Sequence, residues 1–235
     1  MDGDVGLTVA MQVVLVHGAW VDGSSWNDVI APLLSDGLHA LAAPLPLTSL
    51  SDDVAALDRA LERTEGSVVL VAHAYAGAVI AATTNERVRS LVFIAAFAPD
   101  ESETVAELFY CEKPHPQAPQ LAPDAHGLIW MPREGFSTAF AQHASPERAA
   151  LFTATQRPIA VACIQEKAPA PAWKLKPSWY LLAEEDRMIS PATQAFMAKR
   201  MGARIRSEKV DHTPLVTAPE LVIEMILDAV ASTAA

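Results

Sequence analysis

Short β-branched, aliphatic runs alternate along this chain with longer segments of helical period, and this alternation restricts the fold more than any other feature. Gln12-Val-Val-Leu-Val16 is apolar at successive positions, as a strand covered on both faces must be. Ser24 to Leu34 then places Trp26, Val29, Ile30, Leu33 and Leu34 at helix spacing, with Ser24 as its cap. A second strand, His39 to Ala43, stops at Pro44 and Pro46, and a helix capped by Ser51 runs through Leu57 and Leu61 to Gly66. Ser67 to Val71 and Val88 to Ala95 are further strands, separated by a small-residue helix from Tyr75 to Thr84. Repeated strand–helix units of this kind build a mostly parallel sheet with helices on both faces, an α/β class.

The pattern breaks from Pro99 to about Pro171, where prolines, histidines and helical patches (Thr104–Phe109, Arg133–Gln142, Pro146–Thr155) replace strand signals. That segment reads as an insertion over the end of the sheet, closed by a surface loop or hinge at Lys167–Trp173. Trp179 to Ala183 resumes the sheet, Pro191 to Met201 is a helix, Arg204 to Val210 a last strand, and Pro219 to Val230 a closing helix. The expected division is a core of residues 11–98 and 172–235 with a cap of residues 99–171.

Composition narrows the function classes. The 235 residues suit one α/β domain, and 51% apolar residues supply a core without disulfides or metal. A net charge of −11, with no basic stripe, argues against nucleic acid and anionic membrane as partners. Two cysteines, Cys111 and Cys163, without ligand spacing fit a reduced, cytoplasmic setting. Residues 1–10 carry two aspartates and no basic region, so they do not read as a signal peptide, and Met11 reads as the natural start. No apolar run approaches the 18 or so residues of a membrane helix. His115, His126 and His143 have no ligand spacing, so no metal or other cofactor is expected.

Ligands of an open α/β sheet bind at the carboxyl ends of its strands, so the residues just after each strand come first. Four turns stand out: His17-Gly18-Ala19-Trp20, Ala72-His73-Ala74-Tyr75-Ala76-Gly77, Glu184-Glu185-Asp186-Arg187 and Val210-Asp211-His212-Thr213-Pro214. A tight strand-to-helix elbow, then a carboxylate, then a histidine is the chain order of an α/β-hydrolase site. The sequence resembles the α/β-hydrolase superfamily, in particular small bacterial esterase-like members, through Val14–Trp26, Val68–Ile80, Ser178–Arg200 and His212–Pro219. The resemblance implies an α/β-hydrolase fold with a helical cap and a small-molecule acyl substrate. It places the acid at Asp186, just before Arg-x-Ile in the family pattern, the base at His212, and oxyanion donors at the Ala19 and Tyr75 N–H groups. The bond cleaved stays open among ester, thioester, lactone, carbamate and amide.

One position departs from the family. Ala74 stands where the elbow carries its serine, and a methyl group cannot attack a carbonyl. Ala72 and Ala76 replace the elbow glycines but keep their small size. The first reading of Ala74 is an engineered serine-to-alanine change in an otherwise complete hydrolase, leaving this chain inactive. The others are a natural non-hydrolytic binding protein, a cofactor-free lyase or oxygenase using His212 as base, and recruitment of Ser24 or Ser25 as nucleophile. Glu184, Glu185 and Asp100 are rival acids, and the bland reading of an acidic turn is a solvated loop. His17 and His73 read as structural. Trp20 and Trp130 are candidate pocket walls, although large aromatics are more often simply core.

Overall fold

A computed structural model of the chain describes residues 11–234. Residues 1–10, read above as lacking a signal peptide, lie outside the described residues. Six parallel strands form one sheet in the order β2-β1-β3-β4-β7-β8: β1 (Gln12–Val16), β2 (His39–Ala43), β3 (Val68–His73), β4 (Val88–Ile94), β7 (Ser178–Ala183) and β8 (Arg204–Glu208). Period-two alternation sorts each strand onto two cores. Val14, Leu70, Phe93 and Tyr180 face one side, which carries α2 (Leu50–Leu61), α3 (Ala76–Ala81) and α8 (Pro191–Arg200). Leu15, Val71, Ile94 and Leu181 face the other, with α1 (Asn27–Ser35) and α9 (Pro219–Ala234). β3 is buried at every position, which is why it reads as an unbroken apolar run. The edge strand β8 has the sequence Arg-Ile-Arg-Ser-Glu, charged in the manner that blunts edge pairing.

The insertion between β4 and β7, the expected cap, lines one cavity together with the strand ends, through Val105, Phe109, Ile129, Phe140 and Ile159. It holds α4 (Val105–Tyr110), α5 (Arg133–Gly135), α6 (Pro146–Thr155) and α7 (Val161–Gln165). It also contains an antiparallel pair, β5 (Leu128–Ile129) with β6 (Ile159–Ala160), in a segment whose sequence carries no strand signal. Two-residue strands are too short to leave a periodic signal. The expected helix Arg133–Gln142 is instead a single turn that runs into a π-helix, Phe136–Phe140, which ends at Ala141 with φ −143°. The Lys167–Trp173 stretch is an exposed loop at Lys167, Pro169 and Ala170 but is anchored at Ala168, Ala172 and Trp173, which are buried, and the Trp173 Nε1–H donates to the Pro99 carbonyl. Two caps also move. Ser49, not Ser51, accepts from the Asp52 N–H at the start of α2, and Asp22, not Ser24, caps the 3-10 turn Gly23–Trp26 before α1.

Gly77 shows how tightly α3 lies on the sheet, since a Cβ built there falls 2.1 Å from the Phe97 carbonyl oxygen and 2.9 Å from the Ala96 Cβ. Backbone at that distance cannot swing away as a side chain would. Gly77→Ala is therefore expected to lower unfolding free energy by about 2–4 kcal/mol through overpacking, read from the denaturant midpoint; a loss under about 0.5 kcal/mol would contradict this packing.

Candidate active site

Three strand ends and the cap line one cavity of about 80 Å³ that opens to solvent, with almost wholly apolar walls. Its floor is the turn after β3. Ala74 has φ 51°, in the left-handed region that costs a non-glycine residue roughly 1 kcal/mol. The turn is held by the Ala74 carbonyl, which accepts from the Gly77 N–H at 3.1 Å and the Phe97 N–H at 3.0 Å. The Ala74 side chain is thereby raised into the cavity at the start of α3. This is the local geometry of a nucleophile elbow.

Asp186 and His212 meet beside it. His212 Nδ1 lies 2.8 Å from Asp186 Oδ2, and both side chains are buried. Asp186 is held from three further sides: Oδ1 accepts from the Met188 and Ile189 N–H groups at 2.7 and 2.9 Å, and Oδ2 accepts from Gln194 Nε2 at 2.7 Å. A carboxyl group with this many donors is fixed as an acceptor, which orients the imidazole with its proton on Nδ1. His212 lines the cavity, and its Nε2 takes no hydrogen bond among the described residues.

The loop after β1 forms the opposite wall. Trp20, at φ 62°, is anchored twice to the cap, its N–H donating to the Arg157 carbonyl and its Nε1–H to the Ile129 carbonyl. The N–H groups of Ala19 and Tyr75 donate to no carbonyl or side chain among the described residues, and both residues line the cavity. Gly18 makes the approach of the two loops feasible, since a Cβ there would lie 3.0 Å from the Ala74 Cβ and 3.2 Å from His73 Nδ1.

The neighbouring histidines are neutral struts. His17 Nδ1 donates to the Gly18 carbonyl and its Nε2 accepts from the Leu45 N–H, and burial pushes its pKa down to about 4. His73 Nε2 donates to the His212 carbonyl at 2.8 Å; burial first, then proximity to His212, holds its pKa well below the usual value. A histidine that stays neutral when folded but protonates when unfolded subtracts stability as pH falls below 6.5, by about 1.4 kcal/mol per pH unit down to its folded pKa. For His17 that window runs from 6.5 to about 4. His17→Gln, which can still donate and accept, is expected to lose about 2 kcal/mol less than the parent between pH 6.5 and 5; equal losses in denaturant titrations would contradict it.

Not every expected site residue is brought here. Trp130 is half-exposed and its Nε1–H donates to Asp124, because on β5 the adjacent Ile129 takes the inward position. It does not line the cavity, which corrects its reading as a pocket wall. Asp100 pairs with Lys174 at the surface, Glu184 accepts from Ser207, and Glu185 pairs with His143, so none of the rival acids reaches His212. Ser24 and Ser25 are turned onto Asp22.

Other contributors escaped the sequence reading. Gln194 bridges Asp186 to the end of β7, its Oε1 accepting from the Ala183 N–H. A lone glutamine on the inner face of α8 was the available signal. Phe140 sets its edge against His212 at 5.2 Å, while Thr213 Oγ1 donates to the Phe140 carbonyl and the His143 N–H donates to Asp211. The residues flanking His212 thus grip the cap. Among the described residues no group of His, Cys, Asp or Glu is arranged to hold a metal, and no helix is long and apolar enough to cross a membrane.

A six-stranded parallel sheet with this elbow, acid and histidine at its strand ends defines a class, and the chain belongs to it: the alpha/beta hydrolase family, whose model matches residues 13–225. A carbendazim hydrolyzing esterase from Nocardioides sp. (strain SG-4G) is 31% identical over 111 residues, which are 40% of this chain and 46% of that protein. The alignment therefore spans about half the length of that relative. The pyrethroid hydrolase from Sphingobium faniae JZ-2 superposes with a TM-score of 0.81 at 20% identity, covering 96% of this chain and 99% of that one. Polyneuridine aldehyde esterase gives 0.77 at 18% identity over 94% and 99%. At those identities the likeness is one of fold.

Proposed function

We propose that this chain carries the site of a carboxylic-ester hydrolase of the serine type in which alanine occupies the nucleophile position. The observation that carries the reading is the strained elbow at Ala74, set between an Asp186–His212 pair and two uncommitted backbone N–H groups. Strain of this kind serves to present a side chain, and a methyl group uses none of what surrounds it. With a serine at position 74, its hydroxyl oxygen would attack the acyl carbon while His212 Nε2 takes the proton. Ala19 and Tyr75 would hold the developing oxyanion, and His212 would return the proton to the leaving alcohol. Asp186 would stabilise the imidazolium. Ala74 is then a serine-to-alanine change, of the kind engineered to remove turnover, and the chain as it stands retains an ester without cleaving it.

The lining defines the ligand. Trp20, Phe97, Val105, Phe109, Phe140 and Ile189 offer dispersion and no charge, and the Trp20 indole N–H is already committed to Ile129. A neutral, hydrophobic ester fits, which agrees in kind with what the names of the carbendazim and pyrethroid enzymes say of those proteins. The same reading assigns residues 11–98 and 172–235 to the core and 99–171 to the cap. It takes a cytoplasmic setting, a small-molecule substrate and no cofactor, nucleic acid or membrane partner. A neutral aryl ester should bind this chain and be recovered intact, while its carboxylate product binds at least tenfold more weakly, as equilibrium dialysis with chromatography of the bound fraction would show. Steady turnover of the ester, or tighter binding of the charged acid, would overturn the reading; in the second case a natural binding protein or a lyase using His212 as base would replace it.

A further inference from the structure

Behind the elbow lies a buried carboxylate that the proposed reaction does not use. Asp53, on the inner face of α2, is fully buried and collects three donors, none of them a cation. The Tyr75 hydroxyl donates to its Oδ2 at 2.7 Å, the Leu47 N–H donates to its Oδ1 at 2.7 Å, and the Cys163 thiol points at Oδ2 from 3.6 Å. Each donor belongs to a different part of the molecule: Tyr75 to the elbow, Leu47 to the loop after β2, and Cys163 to α7 of the cap. Leu47 sits at φ 60°, and its carbonyl accepts from the Ala160 N–H on β6, so the same turn also carries the cap strand.

A charge in this position is costly to keep, since burial raises the Asp53 pKa and also pushes the Cys163 thiol up to about 12. Filling the space alone would be done as well by an apolar side chain. What a carboxylate does that a leucine cannot is fix the directions of several donors at once. Resting on the hydrolase reading above, we propose that Asp53 is a positioning residue: by pinning the Tyr75 hydroxyl and the Leu47 turn, it fixes the Tyr75 backbone N–H against the seated cap, and so holds the oxyanion site in register with the acyl carbon. Asp53 touches no substrate, and its effect passes through the Tyr75 hydroxyl and the Leu47 turn that it holds.

The test compares Tyr75→Phe, Asp53→Asn and the double variant in the Ala74→Ser background, with a small aryl ester as substrate. Tyr75→Phe removes only the hydroxyl oxygen and remains informative if Asp53→Asn fails to fold. The expected result is a tenfold or greater fall in kcat with KM changed by less than threefold, and a double variant no slower than the slower single one, because the two groups act as a unit. A kcat within twofold of the background in Tyr75→Phe, or single effects that multiply in the double variant, would overturn the proposal. If Ala74→Ser itself shows no turnover, the hydrolase reading fails separately, and the anchoring of the elbow is read by hydrogen exchange in the chain as it stands. The Gly77 and Ala78 amides, which bond the Ala74 and Tyr75 carbonyls, should exchange at least tenfold faster in Tyr75→Phe, and unchanged exchange would overturn the anchoring.

Discussion

Ala74→Ser is expected to raise hydrolysis of a small activated ester, such as an aryl acetate, by several orders of magnitude. Where a serine nucleophile has been removed from a hydrolase the loss is about a million-fold, and the reverse change recovers as much of that as the surrounding site permits. Little stands in its way. The backbone at position 74 already has the left-handed conformation, so the strain of the elbow is carried with or without the oxygen. The side chain lines a cavity, and the residue of the β1 loop set against it, Gly18, offers no Cβ. Stability should change by less than about 1 kcal/mol. A folded Ala74→Ser protein with no more activity than the parent on esters, thioesters, lactones and carbamates would refute the proposed reaction.

The second large effect comes from His212, the proposed base, and its partner Asp186. In the Ala74→Ser background, His212→Ala should remove nearly all the gain, and Asp186→Asn should cost about 10³–10⁴ in kcat. The asparagine amide would turn a donor toward His212 Nδ1 and favour the wrong tautomer, or else face the donors of Gln194, Met188 and Ile189 in place of a carboxylate oxygen they now bond. Removing base and nucleophile together should cost no more than removing either, because each is idle without the other. Additive losses in steady-state kinetics would show instead that His212 acts elsewhere in the protein.

Much of this site could be read from the sequence because its parts lie where strands end, and strand ends are marked by abrupt loss of β-branched residues. Val71 followed by Ala72-His73-Ala74 announces a strand running into a tight turn of small residues, and the structure builds that turn. The cap was harder. β5 and β6 are two residues each and pair across 29 residues that hold α5, the π-helix and α6, so no periodicity records them. Trp130 went wrong for the same reason, since which side of so short a strand faces inward depends on register against Ile159 and not on residue type. Asp53 was hidden because an acid in the first turn of a helix is ordinarily there for the helix dipole. Its inward direction follows from Tyr75 and Leu47, which are distant in sequence and close only after folding.

The central claim is that position 74 is a nucleophile's place lacking its nucleophile. A fluorophosphonate tests this by forming a phosphorus–oxygen bond to an activated serine and releasing fluoride. Treated with such a reagent and read by intact mass and peptide mapping, the Ala74→Ser protein should take one adduct, at position 74. Labelling should vanish in Ala74→Ser/His212→Ala and be absent from the chain as it stands. An unlabelled Ala74→Ser protein, or an adduct on Ser24 or Ser25 in the parent chain, would contradict the account.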